Sequence, residues 1–241
     1  ELNDQYFLLI ISGNEALPNM LPGQFVEVRI DNTPNAFLRR PISINFIDYQ
    51  LNELWLLIQV VGEGTRKLSE IKSNDILNLL LPLGNSFTIP QKSNLDVLLV
   101  GGGVGIAPLL YLGSKLKEKG INCHFLLGGR SKENLLQLEQ FAEYGKVYTT
   151  TEDGTHGEKG FVTNHSVLST KFDFIYTCGP TPMMKAVANF AKQNNIECEV
   201  SLENTMACGF GACLCCVTDS IDGHVCVCTE GPVFNISKLK W

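Results

Sequence analysis

The first part of the chain carries short apolar runs separated by turn residues. These runs are rich in isoleucine, valine, leucine and aromatic residues, and glycine, proline, asparagine and aspartate lie between them. Runs of this length with such boundaries predict β-strands. The predicted strands are residues 6–11, 24–30, 41–47, 53–61 and 76–81, and one short helix is predicted over residues 65–71. Five or six strands in succession predict a small antiparallel β-barrel.

The pattern changes near residue 94, where apolar strands begin to alternate with helical segments. The predicted strands are residues 96–100, 123–127, 146–150, 174–178 and 197–202. The predicted helices are residues 107–119, 133–144 and 182–193, with a weaker helical piece near 162–168. Alternation of this kind predicts a parallel sheet covered by helices on both faces. We therefore expect a β-barrel over residues 1–92, an α/β nucleotide-binding domain over 93–202 and a C-terminal segment over 203–241.

Composition and charge narrow the class of protein. The 241 residues are 44% hydrophobic and 18% charged, which is sufficient for a globular core, and the net charge of −6 argues against a nucleic-acid partner. No apolar run reaches the length of a membrane span, and no signal peptide is visible. Nine cysteines without a targeting segment favour a reducing compartment and metal chemistry over disulfides. We expect a cytoplasmic protein that binds neither nucleic acid nor membrane.

The cysteines near the C-terminus have the spacing of an iron–sulfur protein. Cys208, Cys213 and Cys216 form C-x4-C-x2-C, and Cys228 follows twelve residues later. This is the plant-type spacing of a [2Fe-2S] cluster, in which a short loop supplies three thiolates and a returning segment supplies the fourth. Spacing alone leaves Cys226 and Cys228 open as the fourth ligand, because both would point to the same face of a strand over residues 224–228.

The other residues of this cysteine segment also fit a cluster-binding loop, and other kinds of cysteine site fit it less well. Gly209 and Gly211 would let the loop curl tightly and bring backbone N–H groups close to the cluster sulfurs. Cys215 would be a non-ligand, because a two-residue gap after Cys213 selects Cys216. A structural zinc site is the main alternative, although a gap of four residues is at the limit of its usual spacing. Disulfides, a catalytic thiol and inert buried cysteines explain the clustering less well.

Two motifs in the predicted barrel indicate a flavin site. Arg40-Pro41-Ile42-Ser43 begins a strand, where Arg40 could bind a pyrophosphate in bidentate fashion and Ser43 could donate to the hydride-accepting N5 atom of a flavin. Gly62-Glu63-Gly64-Thr65 precedes the short helix, and a glycine turn before a helix provides free N–H groups for an anion. Leu57-Ile58-Gln59, on the preceding strand, would present backbone groups to the flavin. The motifs taken singly could also be an ordinary strand start and a simple helix cap.

Two further motifs lie at the predicted carboxyl edge of the parallel sheet, where such sheets bind nucleotides. The first is Gly101-Gly102-Gly103-Val104-Gly105, between the first strand and the first helix; it lacks the G-x-G-x-x-G spacing but suits a dinucleotide pyrophosphate. The second is Cys178-Gly179-Pro180, where the small side chain of Cys178 could lie against a nicotinamide. Arg130 follows the second strand and could favour a 2′-phosphate, so the choice between NAD and NADP stays open.

Together these motifs resemble the ferredoxin–NADP reductase superfamily. The C-terminal pattern C-G-x-G-A-C-x-x-C followed by C-x-E-G-P-V-F is similar, more specifically, to the electron-transfer subunits of class 1B dihydroorotate dehydrogenases. The resemblance covers nearly the whole chain. It implies that FAD is held by Arg40, Pro41, Ile42, Ser43, Leu57, Ile58, Gln59, Gly64 and Thr65. It implies the cluster ligands Cys208, Cys213, Cys216 and Cys228, because Cys228 precedes the Glu-Gly-Pro-Val-Phe run.

The resemblance also implies a partner and a reaction. The partner would be an FMN-containing subunit that oxidises dihydroorotate to orotate in pyrimidine synthesis, usually in a two-plus-two heterotetramer. Electrons would pass through the cluster and FAD to NAD. FAD would lie between the other two carriers, because NADH exchanges a hydride and the cluster accepts one electron at a time. We expect Ser43 and Cys178 at the reacting end, and Gly101, Gly102, Gly103, Gly105, Gly179 and Pro180 around the nucleotide.

Two other functions stay open at this point. The chain could be the reductase subunit of another redox complex of the same superfamily, such as a transhydrogenase, a sulfhydrogenase or a sulfite reductase. It could also be a zinc-stabilised nucleotide-binding regulator without redox turnover.

Overall fold

The fold is taken from a computed structural model that describes residues 2–31, 33 and 36–241. Its first part consists of two three-stranded antiparallel sheets, with strand orders β1-β5-β4 and β3-β2-β6, and one short helix. The strands are β1 (Tyr6–Ser12), β2 (Phe25–Val28), β3 (Arg40–Ser43), β4 (Phe46–Asp48), β5 (Glu53–Gln59) and β6 (Leu79–Leu83), and the helix is α1 (Glu63–Ser69). Alternate residues of these strands, such as Val26 and Val28, enclose an apolar core. This confirms the predicted antiparallel barrel.

The predicted strand over residues 41–47 is two strands that belong to different sheets. The chain crosses from one sheet to the other at Ile44 and Asn45. The Ile44 N–H donates at 3.0 Å to Gln24 O, next to β2, and the Asn45 N–H donates at 2.9 Å to Trp55 O of β5 in the other sheet. Apolar residues occur on both sides of this corner, Ile42 and Ile44 before it and Phe46 and Ile47 after it, and all of them pack in the barrel core. Hydrophobicity alone therefore could not locate the crossing.

The second part is built on a seven-stranded sheet with the order β10-β9-β8-β7-β11-β12-β15. Its first six strands are parallel, which confirms the predicted parallel sheet, and β15 joins the edge in antiparallel fashion. Five of the parallel strands were predicted, whereas the two-residue strand β10 and the edge strand β15 were not. These strands are β7 (Asp96–Gly102), β8 (Asn122–Gly129), β9 (Gly145–Thr151), β10 (Glu158–Lys159), β11 (Phe174–Cys178), β12 (Glu197–Ser201) and β15 (Val233–Asn235). The helices are α2 (Ala107–Glu118), α3 (Leu138–Tyr144) and α4 (Thr181–Gln193). Apolar clusters cover both faces of the sheet.

Two predicted helices differ from the structure. The helix over residues 133–144 begins only at Leu138, because Gln137 adopts a left-handed conformation with φ of 54°. The helical piece near 162–168 is two 3₁₀ turns, Val162–Asn164 and Ser166–Ser169. His165 between them is extended, and its Nδ1 accepts a hydrogen bond from the Val167 N–H at 3.0 Å.

The C-terminal segment is irregular up to the hairpin of β13 (Val217–Ser220) and β14 (Gly223–Cys226). A helical turn, α5 (Val227–Glu230), follows directly. The prediction that Cys226 and Cys228 share one strand face is therefore wrong, because the strand ends at Cys226 and Cys228 lies in the helical turn. β15 returns this segment to the main sheet. None of the helices among the described residues has the length and apolar character needed to cross a bilayer.

Candidate functional site

The two predicted flavin motifs meet in the barrel. The guanidinium group of Arg40 lies against the first turn of α1: a Cβ atom on Gly64 would be 2.9 Å from Arg40 Nε and 3.1 Å from a terminal nitrogen. A larger residue than glycine would push the guanidinium away. The hydroxyl of Thr65 accepts hydrogen bonds from the Val61 and Gly62 N–H groups at 2.9 and 3.2 Å. Thr65 therefore closes the turn, and Arg40 supplies the positive charge that a pyrophosphate needs.

The face of strands β2 and β3 that points away from the barrel core carries Ser43 and a buried acid, Glu27. Ser43 lies opposite Phe25, and Pro41 lies opposite Glu27, in the antiparallel pair of β3 and β2. Residues directly opposite each other share a face of the sheet, so Ser43 and Glu27 are on one side. Ser43 is half-buried, whereas Glu27 is completely buried.

Glu27 is an orphaned carboxylate beside the cysteine loop. Neither of its carboxylate oxygens has a hydrogen-bond partner among the described residues. Burial, more than any other effect, raises the pKa of Glu27 to about 7. A Cβ atom on Gly209 would lie 2.6 Å from Glu27 Cγ, so the cysteine loop packs directly on this side chain. A buried acid without a partner fits a site that a further bound group completes.

The cysteine loop is curled around its sulfur atoms. Gly209 and Gly211 have φ angles of 76° and 87°, which are values that glycine adopts readily. The Ala212 N–H donates to Cys208 Sγ at 3.3 Å. Burial alone would raise the pKa of the Cys208 thiol, but hydrogen bonds from loop N–H groups and from the Cys213 side chain lower it to about 6. The predicted approach of N–H groups to sulfur is therefore confirmed, and this loop favours thiolates.

The second pair of cysteines is buried. The Cys228 N–H donates to Cys216 Sγ at 3.4 Å, and both residues are nearly inaccessible, with exposed fractions of 3% and 2%. Burial and then the neighbouring Cys216 raise the pKa of Cys228 to about 12. Cys215 is exposed, and Cys226 is partly exposed. The side chains of both Cys226 and Cys228 interact with Cys216, so burial is the property that favours Cys228 over Cys226 as the fourth ligand.

The four nominated cysteines form two pairs. The side chains of Cys208 and Cys213 interact with each other, Cys216 interacts with both Cys228 and Cys226, and Cys208 acts electrostatically on Cys228 across the loop. Among the described residues, no three side chains of His, Cys, Asp or Glu are grouped around a position for one metal ion. Two pairs of thiols on adjoining segments are the donor set that a cluster of two irons needs, since each iron takes two cysteines. The residues present fit a [2Fe-2S] cluster.

A cavity of about 600 Å³ opens between the barrel and the carboxyl edge of the parallel sheet. The barrel contributes Gln5, Tyr6 and the predicted flavin residue Gln59. Four of the predicted nucleotide residues line the cavity: Gly102, Gly103, Gly105 and Pro180. Leu57 and Ile58, in contrast, are buried with exposed fractions of 2% and 1%, so only their backbone could meet a ligand.

Two of the remaining predicted residues, Gly101 and Gly179, shape the cavity wall without lining the cavity. A Cβ atom on Gly101 would lie 2.8 Å from Ile106 Cγ2, and one on Gly105 would lie 2.4 Å from Gly179 Cα. The two glycine-containing loops therefore touch through their backbones. This close approach explains why glycine occurs at these positions.

Cys178 is completely buried, and the acid beside it faces the cavity instead. Cys178 Sγ lies 4.0 Å from a carboxylate oxygen of Glu203, which lines the cavity. Burial, and then the charge of Glu203, raise the pKa of Cys178 well above its ordinary value. Burial also raises the pKa of Glu203. Sequence reasoning missed Glu203 because it follows the last strand without any motif, and the catalytic roles of Ser43 and Cys178 stay predictions.

The far end of the cavity has charges of both signs. Arg130 follows β8, and Glu152 follows the neighbouring strand β9; both line the cavity. The Glu152 N–H donates to Gly129 O at 3.1 Å, which brings this acid next to the end of β8 that carries Arg130. The sequence indicated only Arg130 at this end of the cavity, because Glu152 belongs to the end of the next strand. A carboxylate in this position suits ribose hydroxyls.

Comparisons with known proteins agree with this geometry. Residues 203–240 match the family model described as the iron-sulfur cluster binding domain of dihydroorotate dehydrogenase B, and residues 99–189 match an oxidoreductase NAD-binding domain. The chain is 37% identical to the "Dihydroorotate dehydrogenase B (NAD(+)), electron transfer subunit" of Bacillus velezensis, over 99% of this chain and 94% of the relative. It is 38% identical to the protein of the same name from Shouchella clausii, over 96% and 91%.

Solved structures share the fold. A structure described as "Insights into flavin-based electron bifurcation via the NADH-dependent reduced ferredoxin-NADP oxidoreductase structure" matches with a TM-score of 0.89 and 31% identity, over 100% of this chain and 87% of the other. A ferredoxin NADP+ reductase from Neisseria gonorrhoeae with bound FAD and NADP matches with a TM-score of 0.63 and 17% identity, over 80% and 86%. The second likeness concerns the fold alone.

Proposed function

The chain belongs to the family of dihydroorotate dehydrogenase B electron transfer subunits, and on this basis we propose that it carries electrons between a dihydroorotate-oxidising partner and NAD in pyrimidine biosynthesis. It is thus the flavin and iron–sulfur component of an oxidoreductase. The observation that carries the proposal is the packing of the cysteine loop against the flavin strands through Gly209 and Glu27. This contact puts the two proposed redox sites next to each other within one chain.

Each proposed cofactor has residues that fit it. FAD is held by Arg40 and the Gly64 turn at its pyrophosphate, with Ser43 on the strand face beside Glu27. The paired cysteines Cys208, Cys213, Cys216 and Cys228 hold the cluster. When bound, FAD supplies the exchange between hydride and single-electron chemistry, and the cluster supplies single-electron transfer. NAD(H) occupies the cavity between the domains.

The chain's own residues orient the nucleotide and exclude water. The touching backbones of Gly105 and Gly179 close the cavity wall, and Tyr6 and Gln59 bring the barrel to its other side. Glu203 provides an acid beside Cys178 that can hold a proton in the cavity, because burial raises its pKa. Glu152 binds the ribose hydroxyls, which favours NAD over NADP.

The partner docks on the exposed side of the cysteine loop. Phe210 and Leu214 in this loop have exposed fractions of 58% and 65%, and Cys213 beside them is exposed. Exposed apolar side chains around a proposed redox centre suit a protein interface. We propose that the partner is an FMN-containing catalytic subunit in a two-plus-two heterotetramer. Nine cysteines without a disulfide among them suit the reducing cytoplasm.

Co-expression with a candidate dihydroorotate-oxidising subunit tests the proposal. The purified complex should contain iron, sulfide and two kinds of flavin, and it should reduce NAD when dihydroorotate is added. Colourless material, or zinc without iron after anaerobic preparation, would refute the cluster assignment. An intact, coloured complex that does not couple dihydroorotate to NAD would refute the assigned partner.

A second candidate function is electron transfer with ferredoxin. The likeness to the NADH-dependent reduced ferredoxin-NADP oxidoreductase, at 31% identity over the whole chain, favours it. In that case reduced ferredoxin, with its own partner subunit, would replace dihydroorotate as the electron donor. Assaying both donors with the same preparation separates the two functions.

A further inference from the structure

A pair of buried amides closes the seam between the barrel and the α/β domain. Asn45 is completely buried, and Gln137 is 8% exposed. The Asn45 side-chain NH₂ donates to Gln137 Oε1 at 3.1 Å, and the Gln137 side-chain NH₂ donates back to Asn45 Oδ1 at 3.0 Å. The Asn45 NH₂ also donates to Ala107 O at 3.0 Å. Asn45 uses both donor hydrogens and its acceptor across the seam.

The backbone of Asn45 also joins the two domains. Its carbonyl oxygen accepts from the Tyr111 N–H of α2 at 3.1 Å, while its own N–H donates to Trp55 O within the barrel at 2.9 Å. Tyr111 extends into the barrel, where its hydroxyl donates to Met20 O at 3.1 Å. One residue of the barrel is thus bonded to α2 at two points and to the start of α3.

The positions of these residues relate the seam to the proposed reaction. Asn45 is two residues beyond Ser43, which belongs to the flavin motif. Ala107 begins α2 directly after the glycine turn whose Gly103 and Gly105 line the nucleotide cavity. A change in the bonds of Asn45 would therefore shift the flavin strand relative to the nucleotide turn.

The backbone conformation of Gln137 indicates that the fold maintains the position of the Gln137 side chain at the expense of the local helix. Gln137 has φ of 54° and ψ of 31°, in the left-handed region that side-chain-bearing residues seldom adopt. The predicted helix is interrupted there, and the turn directs the Gln137 amide into the seam. An interrupted helix and a strained residue are explained if the position of the amide matters more than local helix stability.

We propose that Asn45 and Gln137 form a positioning pair that fixes the distance between the flavin N5 position and the nicotinamide. The proposal rests on the proposed function, because it assumes hydride transfer across the cavity. Both amides are neutral at all accessible pH values, so their effect is independent of pH. The pair acts through the geometry of the seam and touches neither cofactor.

The test compares Asn45→Ala, Gln137→Ala and the exchanged double variant Asn45→Gln/Gln137→Asn in the holoprotein. The measurement is the single-turnover rate at which NADH bleaches the flavin absorbance, with NADH and with 4-deuterated NADH. A misplacement of about 1 Å can lower such a rate about 100-fold, so we expect losses of about 10- to 100-fold in the single variants. We expect unchanged flavin and iron content, a retained isotope effect and recovery in the double variant.

Hydrogen exchange at the Tyr111 amide gives a second readout that needs no turnover. Exchange should be faster in both single variants, because loss of the amide pair loosens the backbone at position 45, whose carbonyl oxygen accepts this N–H. Thr88→Ala is the control: it removes the 2.6 Å hydrogen bond from the Thr88 hydroxyl to Glu199, away from the seam, and keeps the 2.9 Å bond from the backbone N–H. It should lower the melting temperature and leave the single-turnover rate unchanged.

The outcomes separate this proposal from the proposed function. Single variants that melt at lower temperature but keep the parent's single-turnover rate would overturn the positioning role. So would a double variant as slow as the single ones. If Asn45→Ala does not fold, Gln137→Ala decides, since it keeps the bond between Asn45 and Ala107. If NADH does not reduce the flavin of the parent protein, the proposed function is refuted instead. Unchanged hydrogen exchange at the Tyr111 amide in the single variants would still refute the positioning role of Asn45 and Gln137.

Discussion

Replacing Gly105 with alanine should impair hydride transfer by separating the two loops of the nucleotide cavity. The new methyl group would lie 2.4 Å from Gly179 Cα, 2.6 Å from Gly179 N and 2.7 Å from Cys178 O. Carbon atoms in contact are ordinarily about 3.5–4.0 Å apart, so one loop must move by about 1 Å. Side-chain rotation cannot relieve the overlap, because all three atoms belong to the backbone.

The strands that precede the two loops limit where the displaced loop can move. The strands before both loops are held in register, with Gly101 paired to Cys178 and Gly102 to Gly128. The shift therefore falls on the cavity wall. A misplacement of about 1 Å can lower the rate about 100-fold, which is about 2.7 kcal/mol of activation free energy. Overpacking should lower the free energy of unfolding by about 1–3 kcal/mol.

Stopped-flow reduction of the flavin by NADH measures the first effect, and denaturant unfolding measures the second. Gly13→Ala is the matched control, because its new methyl group would meet only Glu15 O, at 3.9 Å. It should behave as the parent protein in both assays. A Gly105→Ala protein that is reduced within twofold of the control's rate would refute the assignment of this cavity to the nicotinamide nucleotide.

Three further predictions concern the cluster, the flavin and pH. Cys216→Ser should abolish the cluster's visible absorbance and lower the iron content, whereas the neighbouring Cys215→Ser should keep both; equal loss in the two variants would contradict the ligand assignment. Arg40→Ala should weaken FAD binding about 10- to 100-fold in a fluorescence titration, because it removes a charge-assisted contact worth about 1.5–3 kcal/mol; unchanged affinity would exclude Arg40 from the pyrophosphate site. Glu27 has a pKa of about 7, above its ordinary value, so the stability it contributes as a neutral acid is present at low pH and is lost as pH rises through 7. Glu27→Gln should therefore gain about 2–3 kcal/mol over the parent between pH 5 and pH 8 in chemical denaturation, and parallel stability curves would contradict this.

Motifs whose residues are close in sequence could be predicted well. The spacing of Cys208, Cys213 and Cys216 indicated the loop, and the structure shows N–H groups directed at their sulfurs. Local spacing was sufficient because a short loop leaves little freedom to the groups it carries. Reasoning from strand alternation failed at Cys228, which was expected on the same strand face as Cys226. Alternation holds only while the strand continues, and here a helical turn begins at Val227, one residue before Cys228.

Residues that act across the fold carry no signal in the sequence. Glu27 occupies an outward position of an ordinary strand, yet it is completely buried, and the distant loop at Gly209 packs directly on its side chain. Glu152 and Glu203 reach the cavity from separate strand ends. Each of these placements depends on how two distant segments pack, which neither periodicity nor motif spacing encodes.

The spatial order of the proposed sites differs from their order along the chain, and β2 accounts for the difference. The flavin motif is near the start of the sequence and the cysteine loop near its end, with the nucleotide turn between them. In the fold, Glu27 of β2 lies opposite Pro41 of the flavin motif and against Gly209 of the cysteine loop. The flavin site therefore touches the cysteine loop on one side, and Gln59 of the barrel reaches the nucleotide cavity on the other. A central flavin is the arrangement that a carrier between hydride and single electrons requires, and it arises here because the C-terminal segment folds back onto the barrel.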